Sequence, residues 1–404
     1  MKQQTMKKKA LVFLLLIGII SMLSDFTHEG ARSIYGPFLS VLGVSAFLVA
    51  FTSGLGEFIG QTLRIVTGII ADKTKKYWSL MIVGYAINLL VIPLLMFVDV
   101  NIWQLAIVLI LLERVGKGIR APAKSALTSF TTPHLGAGKA FALQEAMDQF
   151  GAFLGPLFVF IVLQTQTGDE LSGYQLAFGL LGIFAIMTIS MIFVARWKYP
   201  NPDMLETKTL PKGFKGNKSF VLYMVAISFI ALGFIDYPIL AFHMGNNHLI
   251  AMSYVPLLYS IAMGVDAIAA LIFGYLFDKV GVIALVYSII FAILYVPIFF
   301  LFNNTLAIVI GVVLWGIAMG AQESILKAVI SKLVSKEVRG TAYGIFYTVF
   351  GVSWFLGSMI VGYLYEISIL AIVVFTTAME LLAIFFLLIY HSKQQNHKTK
   401  ELDV

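Results

Sequence analysis

The sequence predicts an all-α membrane protein with twelve transmembrane helices arranged in two pseudo-symmetric halves of six. Its composition, its many long apolar segments and a single long polar segment near the middle predict this class. Of the 404 residues, 59% are hydrophobic and 12% are charged, whereas a soluble globular domain has about 25% charged residues. The absence of cysteine excludes disulfide frameworks, cysteine-based zinc sites and thiol nucleophiles.

The apolar segments are long enough to cross about 30 Å of hydrocarbon at about 1.5 Å per residue. The first follows Lys7, Lys8 and Lys9, and no small-residue cleavage pattern comes after it, so we interpret it as an uncleaved span rather than a signal peptide. The predicted spans cover residues 10–38, 46–70, 78–98, 102–128, 138–165, 174–195, 219–242, 250–277, 282–302, 305–332, 339–365 and 368–390.

A polar segment, residues 196–218, separates the two sets of spans. It contains three prolines and six basic residues, a composition typical of a linker, and is too short for a domain. The predicted domains are therefore an N-terminal half (residues 1–195), this linker (196–218) and a C-terminal half that includes a short tail (219–404).

The loop charges predict the orientation in the membrane. One alternate set of loops, together with the linker and both termini, holds the loop lysines and arginines, and the other set holds none. The positive-inside rule places both termini and the linker in the cytoplasm. The formal net charge of +7 is thereby explained by topology and requires no nucleic-acid partner.

Matching signals indicate an internal repeat. Gly68-Ile-Ile-Ala-Asp72-Lys73 closes the second span, and Gly274-Tyr-Leu-Phe-Asp278-Lys279 closes the eighth. Two six-helix halves of this kind are typical of transporters that rock about a site at the midplane.

The fourth span carries an unusual stripe of charge. Glu113, Lys117, Arg120 and Lys124 recur at helical spacing and share one face, with Arg114 one residue away. Each charge at the bilayer centre costs about 3 kcal/mol on insertion scales, so the pattern predicts a cavity-lining helix. For the last two cations of the stripe, snorkelling towards lipid headgroups is an equally good interpretation.

The first span repeats this pattern with Asp25, His28, Glu29 and Arg32 on one face. A carboxylate in such a cavity changes its protonation with nearby cations and burial, so we expect Asp25 or Glu29 to carry the proton. One alternative is an intrahelical pair, Glu29 with Arg32 or Asp25 with His28, that only neutralises charge. Another is a metal site, although no second histidine at helical spacing supports it.

Further polar residues complete the candidate site. The acids of the fifth span are the natural partners of the fourth-span cations. The candidates for proton coupling are Asp25, Glu29, Arg114, Glu145 and Asp148. The candidates for the substrate cavity are His28, Arg32, Glu57, Gln61, Arg64, Glu113, Lys117, Asp236 and Glu323.

With this topology the chain resembles the major facilitator superfamily and, within it, the twelve-span drug:proton antiporter-like group. Gly68-x-x-x-Asp72-Lys73-x-Lys75-Lys76 resembles the signature loop after span two, without its usual glycine. Arg114-Val-Gly-Lys117-Gly118 is similar to a fourth-span motif of proton-coupled members. Gly151-x-x-x-Gly155-Pro156 resembles a fifth-span antiporter motif whose trailing glycine pair is here Val159 and Phe160.

The resemblance implies roles for these residues. The signature loop would hold the cytoplasmic side against span eleven, and Arg114 would take part in proton transfer. The residues expected to serve conformational change are Gly68, Asp72, Lys73, Lys76, Gly151, Gly155, Pro156, Gly274, Asp278 and Lys279.

The leading functional hypothesis is a proton-coupled exporter of a small organic molecule that works by alternating access. The resemblance implies a monomer without cofactor in a prokaryotic inner membrane. Proton-linked uptake or exchange of an anionic metabolite, export of a metal ion or metal chelate, and a non-transporting receptor are the alternatives. An enzyme is not indicated, because His28-Glu29 lacks the second histidine of a zinc-hydrolase helix and no Gly-x-Ser-x-Gly elbow occurs.

Overall fold

The computed structural model describes residues 2–135, 137–200, 218–302, 304–333 and 339–402. Within these ranges it does not describe the side chains of residues 2–5, 72, 133, 137–139, 141, 331–332, 339–341 and 396–402. Every regular element of the described chain is helical, which confirms the predicted fold class. The α-helices are α1 (Lys2–Val41), α2 (Ala46–Thr74), α3 (Tyr77–Leu90), α4 (Trp103–Ser129), α5 (Thr132–Leu135), α6 (Ala137–Gln164), α7 (Glu170–Lys198), α8 (Lys218–Gly233), α9 (Tyr237–Asn246), α10 (Val255–Val280), α11 (Ile283–Leu301), α12 (Thr305–Leu333), α13 (Arg339–Ile367) and α14 (Ile369–Leu402).

Eleven helical segments of the described chain are long and apolar enough to cross a membrane. The charged helix α4 is not among them, yet its 27 residues reach about 40 Å. It lies where the sequence predicts the fourth span, and the charge that keeps it out of the apolar set must be compensated by its neighbours.

The seventh span is broken, which the sequence prediction of one continuous span did not include. α8 ends at Gly233 and α9 begins at Tyr237, so the residues between them are not helical. Pro238 has no N–H to bond to the carbonyl of Phe234 four residues earlier, and its ring would clash with that carbonyl in a continuous helix. Asp236 lies directly before the second half, where its Oδ1 accepts the backbone N–H of Tyr237 at 2.9 Å and its backbone carbonyl accepts the N–H of Ile239 at 3.1 Å.

The two predicted repeat motifs end in the same backbone geometry. Lys75 after α2 has φ 56° and Gly281 after α10 has φ 64°, both in the left-handed region. Their N–H groups donate to Ala71 and Phe277 at 2.8 and 2.9 Å, as in a common helix C-cap. Lys75 thus occupies a position that favours glycine, which is the residue present in the second copy.

The chain divides into two compact units. One comprises Met1–Ser45, Leu55–Lys208 and Ala241–Ser260, and the other comprises Ala46–Gly54, Thr209–Leu240 and Ile261–Val404. Residues 201–217 of the predicted linker lie outside the described residues. The first unit holds the fourth-span stripe, and the second holds the break in span seven.

In the first unit, α1 and α6 approach closely at the glycines of the fifth-span motif. A Cβ atom at Gly151 would collide with the carbonyl oxygen of Met22, and one at Gly155 would collide with that of Phe26. From the other side, a Cβ at Gly30 would lie 3.2 Å from the Gly155 carbonyl oxygen. Small residues permit such backbone approach in membranes. The crossing fixes the part of α1 on which the candidate acids lie.

Candidate functional site

A buried histidine lies at the centre of the first unit. The ammonium of Lys117 on α4 donates to His28 Nε2 at 2.7 Å, and His28 Nδ1 lies 2.7 Å from Glu113 Oε1. An ammonium only donates, so Nε2 accepts and the ring proton is on Nδ1, which is close to the Glu113 carboxylate but makes no hydrogen bond among the described residues. Lys117, His28 and Glu113 therefore lie side by side inside the bundle.

Glu29, next to this histidine, is contacted by side chains from three helices. Its Oε1 lies 3.4 Å from His28 Nε2 and 3.8 Å from Lys117 Nζ. Its Oε2 lies 3.5 Å from Arg32 and accepts the hydroxyl of Tyr259 at 2.7 Å. Tyr259 belongs to α10 but falls within the first compact unit. Glu29 is thus a charged acceptor shared by two cations and a phenol.

The expected intrahelical pair of Glu29 with Arg32 is therefore present, but it is one contact among several. Asp25, expected as a partner of His28, instead lies 3.2 Å from Arg120 Nη2.

Arg120 is fixed inside the protein. Its three guanidinium nitrogens donate to Asn88 at 3.0 Å, Tyr85 at 3.2 Å and Asp25 at 3.2 Å. Its side chain is 3% exposed, and its guanidinium also covers the Tyr85 ring. The snorkelling interpretation of Arg120 is wrong, because partners on α1 and α3 compensate the charge that lipid headgroups would otherwise attract.

Lys124 is also held by protein partners. Its ammonium donates to Ser21 at 2.6 Å and to Asp148 at 2.7 Å. Snorkelling is therefore the wrong interpretation here too, and the prediction that fifth-span acids pair with fourth-span cations is confirmed for this pair. Gln144 donates to the same carboxylate at 3.4 Å and accepts from Thr128.

Arg114 joins α4 to α2. It lies 2.8 Å from Glu57 and 3.3 Å from Glu113. Gly56 provides the space, since a Cβ atom there would lie 2.8 Å from Arg114 Cγ. Two carboxylates already surround this guanidinium, which therefore acts first as a buried ion-pair partner.

These contacts balance the charge of the site. Its carboxylates are Asp25, Glu29, Glu57, Glu113 and Asp148, and its cations are Arg32, Arg114, Lys117, Arg120 and Lys124. In the pairs of the described residues, five acids thus face five bases. Such an arrangement can move a proton or admit a charged group only by exchanging partners.

The other predicted site residues differ in their burial. The side chains of Glu145 and Glu323 are exposed, and Gln61 and Arg64 are half-buried on α2. The Oε1 atom of Gln61 is buried without a hydrogen-bond partner among the described residues. Asp236 is buried in the second unit, where its carboxylate accepts the hydroxyl of Ser53.

The motif residues are placed as follows. Lys73, Lys76, Asp278 and Lys279 are exposed at helix ends, Pro156 is buried, and the side chain of Asp72 lies outside the described part. A Cβ at Gly68 would lie 3.8 Å from Pro122, and one at Gly274 would lie 3.0 Å from Ser324. Among the described residues, no group of three or more His, Asp or Glu could hold a metal ion.

Sequence reasoning missed three partners of the site. Asn88 donates to the Glu113 backbone carbonyl at 3.0 Å and to its carboxylate, and so links Glu113 to Arg120. Tyr85 and Tyr259 complete the set. An asparagine in an apolar span is a signal that could have been found, whereas nothing in the sequence brings Tyr259 to Glu29.

Comparison with known proteins identifies the family and the fold. The sequence profile described as Major Facilitator Superfamily matches residues 22–265 and 220–403. An uncharacterised protein of Mycobacterium tuberculosis is 35% identical over 379 residues, which are 92% of this chain and 91% of that protein.

Two solved structures share the fold. A variant of the nucleoside transporter NupG has a TM-score of 0.76 at 13% identity, and the alignment covers 94% of this chain and 99% of the transporter's chain. A D-xylose-proton symporter has a TM-score of 0.70 at 12% identity, and the alignment covers 94% of this chain and 96% of the symporter's chain.

The family match and the shared fold show a multi-pass membrane transporter with the alternating-access fold, and not an enzyme. The chain belongs to the Major Facilitator Superfamily.

Proposed function

We propose that this transporter couples proton movement to the export of a small organic molecule, with Glu29 as the proton carrier. It would act as a monomer in a prokaryotic inner membrane. The observation that supports the proposal most is the shared position of Lys117, 2.7 Å from His28 and 3.8 Å from Glu29. Export follows from the resemblance of Gly151-x-x-x-Gly155-Pro156 to the antiporter motif.

The coupling rests on competition for the Glu29 carboxylate. Lys117, which lies 3.8 Å from that carboxylate, has a side chain that is 21% exposed, more than those of Arg32, Arg114, Arg120 and Lys124. A substrate that donates hydrogen bonds or carries positive charge would replace Lys117 at Glu29 and would bind while the carboxylate is ionised. Protonation of Glu29 would remove the charge that holds the substrate. Substrate and proton would thus compete for one side chain, as export in exchange for protons requires.

His28 gives the proton a route. Its Nδ1 proton faces Glu113 and its Nε2 faces Lys117 and Glu29. Protonation at Nε2 and loss of the proton at Nδ1 would carry one proton across the ring. In this scheme His28 is a relay and Asp25, held by Arg120, is the second acid of the pathway.

A second candidate function is proton-linked uptake or exchange of a small anion. The two cations around Glu29, Lys117 and Arg32, favour it, because cations that face a dry site select anions. Arg114 would contribute less, since Glu57 and Glu113 already surround it.

The test is proton flux in proteoliposomes that contain a pH-sensitive dye, with lipophilic cations, neutral solutes and small anions added in turn. We expect the wild type to move protons with a lipophilic cation or a neutral compound. Glu29→Gln mimics the protonated acid and should weaken binding of that compound and reduce the flux to that of empty liposomes, and Asp25→Asn should reduce the flux as well. Asp99→Asn, in an exposed turn that both side chains can cap, is the matched control.

Each other outcome selects a different conclusion. Flux triggered by small anions alone would support the second candidate. Wild-type flux in both carboxylate variants would exclude Asp25 and Glu29 from the coupling. An absence of proton flux with every solute would exclude proton coupling as proposed.

A further inference from the structure

A carboxyl group in the second unit has an environment opposite to that of the charged network. Glu380, on α14, is 1% exposed. Neither of its carboxyl oxygens has a hydrogen-bond partner among the described residues, and none of the salt bridges found there includes it. Burying an unpaired carboxylate is so unfavourable that the group is neutral instead.

Glu380 lies beside the break in span seven. A Cβ atom at Gly233, the last residue of α8, would lie 3.3 Å from Glu380 Cγ. The non-helical residues 234–236 follow directly. A conformational change at this break would therefore alter the surroundings of the carboxyl.

The break is held by side chains rather than by the helix itself. The Tyr295 hydroxyl accepts the N–H of Ile235 at 2.9 Å and donates to its carbonyl at 3.4 Å. Trp315 Nε1 donates to the same carbonyl at 2.9 Å. The ring centroid of Phe234 lies 5.4 Å from that of Trp354, 5.7 Å from that of Tyr295 and 6.0 Å from that of Trp315.

The titratable groups around this carboxyl are few. The break contributes Asp236, and α11 contributes Tyr295, which lies within electrostatic range of both Asp236 and Glu380. α13 contributes the uncharged Trp354 to the cage around Phe234. Among the described residues no cation stabilises a negative charge at Glu380, so the local structure favours the protonated acid.

We propose that Glu380 is a second proton-binding site, which holds its proton while the break is arranged as described and releases it when residues 234–236 rearrange. The O–H bond of the carboxylic acid breaks, the proton passes to water, and the carboxylate remains. The role in transport rests on the proton coupling proposed above, whereas the protonation itself does not. Discontinuous helices form ion sites in other transporters, and Glu380 lies beside such a discontinuity.

The first test is infrared difference spectroscopy of the full chain in lipid during titration to alkaline pH. We expect a carbonyl band of a protonated carboxylic acid that disappears at alkaline pH. The band should be absent in Glu380→Gln and unchanged in Glu170→Gln, whose carboxyl lies in the exposed first turn of α7. A band that persists at alkaline pH would identify a permanently neutral structural acid, and the lack of a Glu380 band would overturn the proposal as well.

The second test is the pH dependence of transport in proteoliposomes. Glutamine is nearly isosteric with the neutral acid, so Glu380→Gln should fold and bind solute. The factor by which a pH gradient accelerates its transport should be about tenfold smaller than in the wild type. Glu380→Asp should restore part of it. A pH dependence equal to that of the wild type would exclude Glu380 from coupling. If the wild type itself shows no proton flux, the proposed function fails while the infrared titration still decides whether Glu380 binds a proton.

Discussion

At the scale of single residues, Arg114 lies between two acids on two helices. It is 2.8 Å from Glu57 and 3.3 Å from Glu113, and its side chain is 3% exposed. Removing one partner of a buried ion pair leaves the other charge unpaired and costs about 3–5 kcal/mol. We expect Arg114→Ala to lower the thermal stability of the purified protein, and Glu57→Gln in the same chain to recover part of the loss.

Differential scanning fluorimetry in detergent measures this prediction, with Asp99→Asn as the control. Wild-type stability of Arg114→Ala, combined with loss of transport, would instead assign Arg114 to the transport mechanism.

The residue scale also shows how far the sequence determines the site. Helical spacing alone places Glu113, Lys117, Arg120 and Lys124 on one face, and each of them has a partner on a neighbouring helix. The identity of the partners could not be predicted, because it depends on which helices are adjacent and at what height. For the same reason the sequence could not decide whether Arg120 extends to lipid headgroups or forms an ion pair with Asp25.

At the scale of elements, the crossing of α1 and α6 depends on Gly155. A Cβ atom there would collide with the Phe26 carbonyl oxygen, which belongs to backbone and cannot rotate away. We expect Gly155→Ala to destabilise the protein by about 1–3 kcal/mol. Gly60→Ala is the control, since its Cβ would lie 3.8 Å from the nearest atom, the Arg114 carbonyl oxygen.

Thermal unfolding in detergent compares the two alanine variants. Equal stability would mean that α1 and α6 can separate without cost, and the glycines would then have no packing role.

The broken seventh span shows what a count of apolar residues omits. By length and hydropathy alone, Lys218–Asn246 is a single candidate span. The local signal for the break is Pro238, which cannot bond to the carbonyl four residues before it and so interrupts the helix. Tyr295 and Trp315, which stabilise the break, are about 60 and 80 residues away and carry no such signal.

At the scale of the whole molecule, the loop charges predict that both termini face the cytoplasm. The chain has no cysteine, so single cysteines can be introduced without background. Ser392, in the terminal part of α14, and Thr167, in the loop before α7, are both exposed. We expect a membrane-impermeant maleimide to label Thr167→Cys in intact cells, and Ser392→Cys only after the membrane is permeabilised. The reverse pattern would invert the proposed topology.

The charges of α4 also bear on how the chain is made. Five charged residues between 113 and 124, at about 3 kcal/mol each, prevent this segment from entering the bilayer by its own hydrophobicity. During synthesis its partners on α1, α2 and α3 leave the ribosome before it, while Asp148 on α6 follows. Membrane insertion of α4 is therefore inseparable from the assembly of its neighbours, and the order of the helices along the chain presents most of the required counter-charges in advance.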